Sequence, residues 1–212
     1  TDHISPVGKI PLHSSTGRYL KEIGVEVKDF NSYGSRRGNF EALVRGTFAH
    51  LRLKNELADD IGGVTTYLPT DEKMDIYDAS EKYQAQNIPL VILAGKEYGT
   101  GSARDWAAKG TYLLGVKAVI AESFERIHRS NLAMMGILPI QFLPNENAKT
   151  YKLDGTERYT IPLDALHPHK YVTVEATRKD GTTVSFDTIV RLDTKLEIEL
   201  YEKRGIFQSI LH

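Results

Sequence analysis

The chain contains no cysteine. That excludes disulfides and any thiolate-ligated metal or iron–sulfur cluster built from this chain alone, and it fits a reducing, cytoplasmic setting. An excess of charge is also missing. Lysine and arginine number 27 against 28 aspartates and glutamates, a formal net charge of −1, so no global field draws the protein to nucleic acid or to an anionic membrane. No apolar run approaches the roughly twenty residues needed to span a bilayer, and no membrane partner is expected. The opening stretch TDHISPVGKIP has neither the basic start nor the apolar run of a secretory signal. It also lacks an initiating methionine, which suggests a piece of something longer. Histidines are present without zinc spacing: His167 and His169 flank Pro168, and His128 has no partner at helical spacing. No metal ligand is assigned to this chain.

What is present reads as one α/β domain over residues 1–212, opened by an irregular, linker-like segment at 1–35 that is rich in Gly, Pro, Ser and Thr. The helical candidate GRYLKEIG interrupts that segment. Asn39 is an N-cap candidate for the next helix, with Phe40, Leu43 and Val44 on one face. GGVTTYLPTDEKMDIYD reads as two short strands around a turn, with Asp78 capping the helix ASEKYQAQ. PLVILAG (89–95) is a continuous apolar run, as expected of a strand covered on both faces. A helix over 102–114, the strand VKAVIAES, the helix FERIHRSNLAMMG and the strand ILPIQF complete a βαβαβ pattern, which implies parallel strands. From about residue 150, ERYTIPL and KYVTVEATRKDGTTVSFDTIVRLD predict antiparallel strands with a hairpin at KDG.

The stretch YGTGSARDWAAKG (98–110) joins the first strand of that pattern to its helix. In such sheets ligands sit beyond the C-terminal ends of the strands. A glycine turn leading into a helix N-terminus usually holds an anion. A dinucleotide is one candidate, since Gly99 and Gly101 follow a strand and Glu122 ends the next one. However, Arg104 stands where the third glycine should allow close packing. A mononucleotide loop is a second candidate and needs a lysine after the glycines, which is missing. A carboxylate fits better. The N–H groups of Gly99, Thr100 and Gly101 can point inward, Ser102 sits at the cap and Arg104 in the first turn. The helix dipole disfavours a cation there, so an arginine at that place suits a bidentate grip on an incoming anion. The bland alternative is that Ser102 only caps the helix and Arg104 is solvated. NSYGSRRGN (31–39) sets Arg36 and Arg37 between glycines, either as a second anion clamp or as a solvated turn.

TDHISP, DFNSYGSRRGN, RGTFAH, AGKEYGTGSARDWAAKG and AESFERIHRSNL, in this order, resemble the last, swivel-type domain of the cytosolic-type aconitases, a family that includes the iron regulatory proteins. The resemblance is dense to about residue 143 and looser beyond. It implies a layered β/β/α swivel domain, here with a parallel βαβαβ core and a β-rich C-terminal third, cut from a multidomain enzyme. It also implies a hydro-lyase of the tricarboxylic acid cycle that isomerises citrate through cis-aconitate. The 4Fe–4S cluster would be ligated by other domains, so the isolated domain is expected to be inactive. By resemblance Ser102 is the base, Arg104 grips a substrate carboxylate, and Gly101, Ala103, Arg36 and Arg37 line the substrate. Two positions depart from the family. Ala103 replaces a second serine, and Ile23 stands where an arginine is common. A methylated substrate, as in the 2-methylcitrate-type dehydratases of the superfamily, is therefore the alternative, unless Arg36 or Arg37 compensates. RNA-binding relatives grip a stem-loop with positions matching Ser5, Pro6, Arg37, Asp105 and Trp106, whereas Glu56 falls where a basic residue is found in them.

Overall fold

The computed structural model describes residues 3–102 and 104–206 and divides into two units, each with its own elements. One unit comprises Asp2–Ile88 with Gly101–Gly115. Its first helix, α1 (Ser15–Glu22), begins where the Ser14 hydroxyl accepts the Gly17 N–H. A side chain at 17 would lie 2.3 Å from the Pro11 carbonyl oxygen, so only glycine lets α1 start against that turn. The opening residues contribute burial of their own. Ile10, Leu20, Phe30 and Tyr33 form a buried cluster, and the Tyr33 hydroxyl donates to Thr16 Oγ1 at 3.0 Å. Gly, Ser and Pro set the turns here, while a few widely spaced apolar side chains supply the burial.

Helix α2 (Phe40–Gly46) starts at Asn39 as expected, with Asn39 Oδ1 accepting the Ala42 N–H at 3.1 Å. Its inner face differs from the expected one. Ala42, Val44 and Gly46 are buried, whereas Phe40 remains 47 % exposed. Gly46 belongs inside because a Cβ there would stand 2.4 Å from the Tyr33 ring. Strands β1 (Val64–Tyr67) and β2 (Glu72–Asp75) pair antiparallel, and α3 (Ile76–Ala85) follows at once. Asp78 does not cap α3. The helix begins earlier, after Asp75, and the Asp75 carboxylate accepts the Ser15 N–H at 2.6 Å. Asp78 instead pairs with Arg18. The last helix of this unit is α4 (Arg104–Leu113).

The other unit comprises Pro89–Thr100 with Val116–His212. It holds β3 (Leu90–Ala94), β4 (Val116–Ala121), α5 (Arg126–Met134), β5 (Leu138–Phe142), β6 (Arg158–Thr160), β7 (Tyr171–Thr177), β8 (Thr183–Val190) and α6 (Lys195–Glu202). The strands form one sheet in the order β3-β4-β5-β8-β7-β6. The β3, β4 and β5 strands run parallel as the βαβαβ pattern requires. The C-terminal strands are antiparallel and join the same sheet through β5 and β8. The class is therefore α/β with a β-rich C-terminal third. Strand β3 is not covered on both faces: it is an edge strand, half-buried along its length. Full burial belongs to β4, where Ala118 to Ala121 are all inside. Ile120, Ile140, Phe142, Val174 and Phe186 build the core against them.

A buried ion pair fixes α5 to α6. Arg129, 6 % exposed, donates from both terminal nitrogens to Glu197 at 2.9 Å and to the Arg191 carbonyl at 2.7 Å. Its Nε lies 3.2 Å from Asp193. Burial alone would raise the Glu197 carboxyl, but hydrogen bonds from Arg129 and the Asp193 N–H outweigh it and hold the group below its ordinary value. Glu197→Ala takes the carboxylate from both terminal nitrogens of a buried guanidinium and leaves it Asp193 at Nε, so it is expected to cost about 3 kcal/mol. Urea unfolding at pH 7 measures it, and a loss under 1 kcal/mol would mean that water replaces the carboxylate.

Candidate functional site

The glycine turn leaves β3 and is tied to the loop after β4. Tyr98 donates its N–H to the Ser123 carbonyl at 2.9 Å, and Glu125 returns one to the Tyr98 carbonyl at 2.9 Å. Gly99 has φ +94° and Gly101 φ +80°, a region that L side chains avoid. At Gly99 space is as restrictive as φ. A Cβ there would stand 2.2 Å from His128 Cγ. His128, 2 % exposed, lies edge-on to Tyr98 at 5.3 Å between ring centroids. Both imidazole nitrogens and the Tyr98 hydroxyl are buried and have no hydrogen-bond partner among the described residues. Burial pushes His128 down to about 4, with the nearby Glu125 carboxylate partly opposing it, so the ring is neutral at pH 7. Glu125 also caps α5, accepting the Ile127 and His128 N–H groups at 3.0 and 2.7 Å. Sequence reasoning assigned His128 nothing. Its tie to Gly99 is a tertiary contact, and no local spacing announces it.

The remaining candidates fall in the unit that contains α4. Ser102 is half-buried directly before that helix, Gly101 is exposed, and Arg104 is the first helical residue. Ala103 lies outside the described residues. Arg36 and Arg37 are not equivalent. Arg36 donates to the carbonyls of Phe30 at 3.3 Å and Asp29 at 2.5 Å, which commits it to stapling its own loop. Arg37 is exposed. Ser5 is buried, Pro6 is half-buried and packs where Gly46 leaves room, and Asp105 is exposed. The half-buried Trp106 donates its indole N–H to Thr47 Oγ1 at 3.3 Å and meets Phe40 edge-on at 6.1 Å. Ile23 ends α1 and is 52 % exposed. Pro6, the turn at Tyr33–Arg36 and Trp106 are thus gathered around α2. Among the described residues no group of three or more His, Asp or Glu could hold a metal ion. With no cysteine in the chain, the residues present do not fit the iron–sulfur cluster that the resemblance implies.

Strand β3 ends in a glycine turn, and in α/β sheets ligands sit beyond the C-terminal ends of the strands. Residues 16–145 match the family described as the aconitase C-terminal domain, and the chain belongs to that family. It is 58 % identical over 214 residues to aconitate hydratase A of Pseudomonas aeruginosa and 59 % identical over 213 residues to that of Legionella pneumophila. Both alignments cover 100 % of this chain and 24 % of the relative, so the chain spans about a quarter of their length. The solved 3-isopropylmalate dehydratase (leuD) of Methanocaldococcus jannaschii aligns over 68 % of this chain and 81 % of its own, at 21 % identity and a TM-score of 0.38. So partial a likeness carries no argument.

Burying a neutral histidine has a consequence for stability. The folded value of about 4 lies below the ordinary 6.5, so the unfolded chain takes up the extra proton as pH falls through 6.5. Stability from this group is present above that pH and lost towards pH 4. Between pH 7 and 4.5 the loss is about 2.5 kcal/mol. Urea unfolding at the two values measures it, and His128→Phe is expected to remove that part of the slope.

Proposed function

We propose that this domain supplies the base and a substrate-carboxylate grip of an aconitate hydratase, which interconverts citrate and isocitrate through cis-aconitate. The observation that carries the reading is the turn with positive φ at Gly99 and Gly101 and Ser102 at the entry to α4. It sits in a chain 58 and 59 % identical along its whole length to two aconitate hydratase A proteins.

A serine hydroxyl is far too weakly acidic to serve as a base unaided. The positive end of a helix N-terminus favours an alkoxide at Ser102 Oγ. Ser102 then takes the proton from the carbon beside a substrate carboxylate. The electron pair left behind forms the double bond as hydroxide departs from the neighbouring carbon. On rehydration Ser102 Oγ returns the proton. Gly101, with no side chain, lets the backbone approach the substrate. Arg104 holds one carboxylate through a bidentate hydrogen bond, and the exposed Arg37 is available to a second. The hydroxide leaves towards groups that this chain does not supply. An iron–sulfur cluster would have to be ligated by other aconitase domains, and the 212-residue chain alone is expected to show no turnover.

The exposed Ile23 favours a second reading, dehydration of 2-methylcitrate, because it sets apolar carbon where the family commonly has a charge. An RNA role has less support: Ser5 is buried and the Trp106 indole N–H is already given to Thr47. Full-length enzyme with Ser102→Ala is expected to lose 10²- to 10⁴-fold in kcat, on the order of what a general base contributes, with KM within about threefold. Turnover at the wild-type rate would overturn the base assignment. Faster dehydration of 2-methylcitrate than of citrate would favour the second reading.

A further inference from the structure

Trp106 has no part in the chemistry above, yet it is held more closely than a surface tryptophan needs to be. Its partner Thr47 is 1 % exposed and follows the last residue of α2. The Thr47 hydroxyl spends its hydrogen on the Leu43 carbonyl at 3.0 Å, leaving lone pairs for the indole N–H at 3.3 Å. The indole nitrogen can only donate, so donor and acceptor roles are set in one direction. One helical turn along α4 stands Gly110, where a Cβ would lie 2.3 Å from Thr47 Oγ1 and 2.8 Å from Thr47 Cγ2. Trp106 and Gly110 share a face of α4, and that face is shaped to receive this one threonine. At the other end of α2, Phe40 meets the Trp106 ring edge-on at 82°. The Lys109 ammonium lies 5.6 Å from the centroids of both rings.

Trp106 therefore touches residues at both ends of α2. Phe40 opens that helix just after the Arg37 turn, and Ser102 and Arg104 lie at the start of the helix that carries Trp106. We infer that Trp106 and Thr47 are positioning residues: their hydrogen bond and the Gly110 contact set the height of α4 against α2, and so the place of Ser102 and Arg104 relative to Arg37. This inference rests on the proposed role of Ser102 and adds a device that sets its position. A group displaced by about 1 Å from its reacting geometry costs up to ~10²-fold in rate, whereas ground-state affinity spread over several contacts changes little.

The test uses the full-length enzyme with Thr47→Val, Thr47→Ser and Trp106→Phe. Valine keeps the shape of threonine and removes the acceptor. It is expected to lower kcat at least tenfold, with KM moved by less than threefold. The deuterium isotope effect at the abstracted position should rise, because proton transfer becomes slower than the other steps. A loss of folded enzyme alone would leave the isotope effect where it was. Thr47→Ser retains the hydroxyl and is expected within twofold of wild type. If Thr47→Val yields no folded protein, Trp106→Phe keeps a smaller aromatic ring beside Phe40, deletes the donor and carries the same expectation. Wild-type kcat in either folded variant, while Ser102→Ala is inactive, overturns the positioning role and spares the base assignment. A fall in kcat with an unchanged isotope effect overturns it as well. Wild-type turnover by Ser102→Ala removes the reading beneath it instead.

Discussion

Everything at the turn depends on a missing atom at residue 99. The chain leaves the end of β3 and is tied at Tyr98 to the loop after β4, a few residues before Ser102. It then turns with φ +94° at Gly99 against the ring of His128, where a Cβ would stand 2.2 Å from the imidazole. Any other residue would pay twice, once for backbone strain and once for displacing a buried ring. His128 is in turn fixed by the helix that Glu125 caps and by the edge of Tyr98. Turn, cap and ring form one mechanical piece, built from the loops at the ends of two parallel strands.

That piece rests on a tertiary contact, whereas much of the surrounding fold is placed by local chemistry and was legible in advance. Asn39 as a cap, the three parallel strands and the KDG hairpin follow from residue types at short range, where each side chain acts on its own backbone. Legibility fails where the deciding contact is distant. Asp78 looked like a cap because it directly precedes the helical run ASEKYQAQ, but Asp75 ends a strand and its carboxylate meets the Ser15 N–H, a partner sixty residues away. The run at 89–95 looked doubly covered, yet hydrophobicity alone does not say whether a strand is central or at an edge. In the site itself, Gly99, Gly101 and Ser102 announce themselves by spacing. Arg36 and Arg37 are adjacent and identical in type, and only the fold shows that one is spent on the carbonyls of Asp29 and Phe30.

The absences noted at the outset constrain the chemistry as firmly as the residues present. Without cysteine the chain can contribute acids, bases and dipoles, but no thiolate ligand. Without a charge excess, an anionic substrate of the kind proposed would be attracted only through local devices, namely a helix N-terminus and individual arginines. Such devices are short-ranged, so they work only when each is held at a defined position. This is why the commitments of uncharged side chains matter here. Thr47, Gly46 and Gly110 carry no chemistry, yet the close approaches they allow decide where helices can lie.

On the proposed reading, a domain that supplies a base to chemistry completed elsewhere faces a particular physical demand. Its reactive group must be stabilised as an anion before substrate arrives, or the proton transfer is uphill by the full weakness of a serine hydroxyl as an acid. Solvent could provide that stabilisation, but water also reorganises as charge moves, and the barrier rises accordingly. A helix N-terminus is already oriented, so it does not reorganise. The same economy applies to the surrounding packing. Contacts such as the buried Arg129–Glu197 pair and the Thr47–Gly110 approach each fix helices within their own unit. The turn itself uses glycine, which alone tolerates both the backbone geometry and a ligand close to the main chain. Rigidity in the supports and openness at the turn are therefore two sides of one requirement, that a weak acid be made a base at one fixed place.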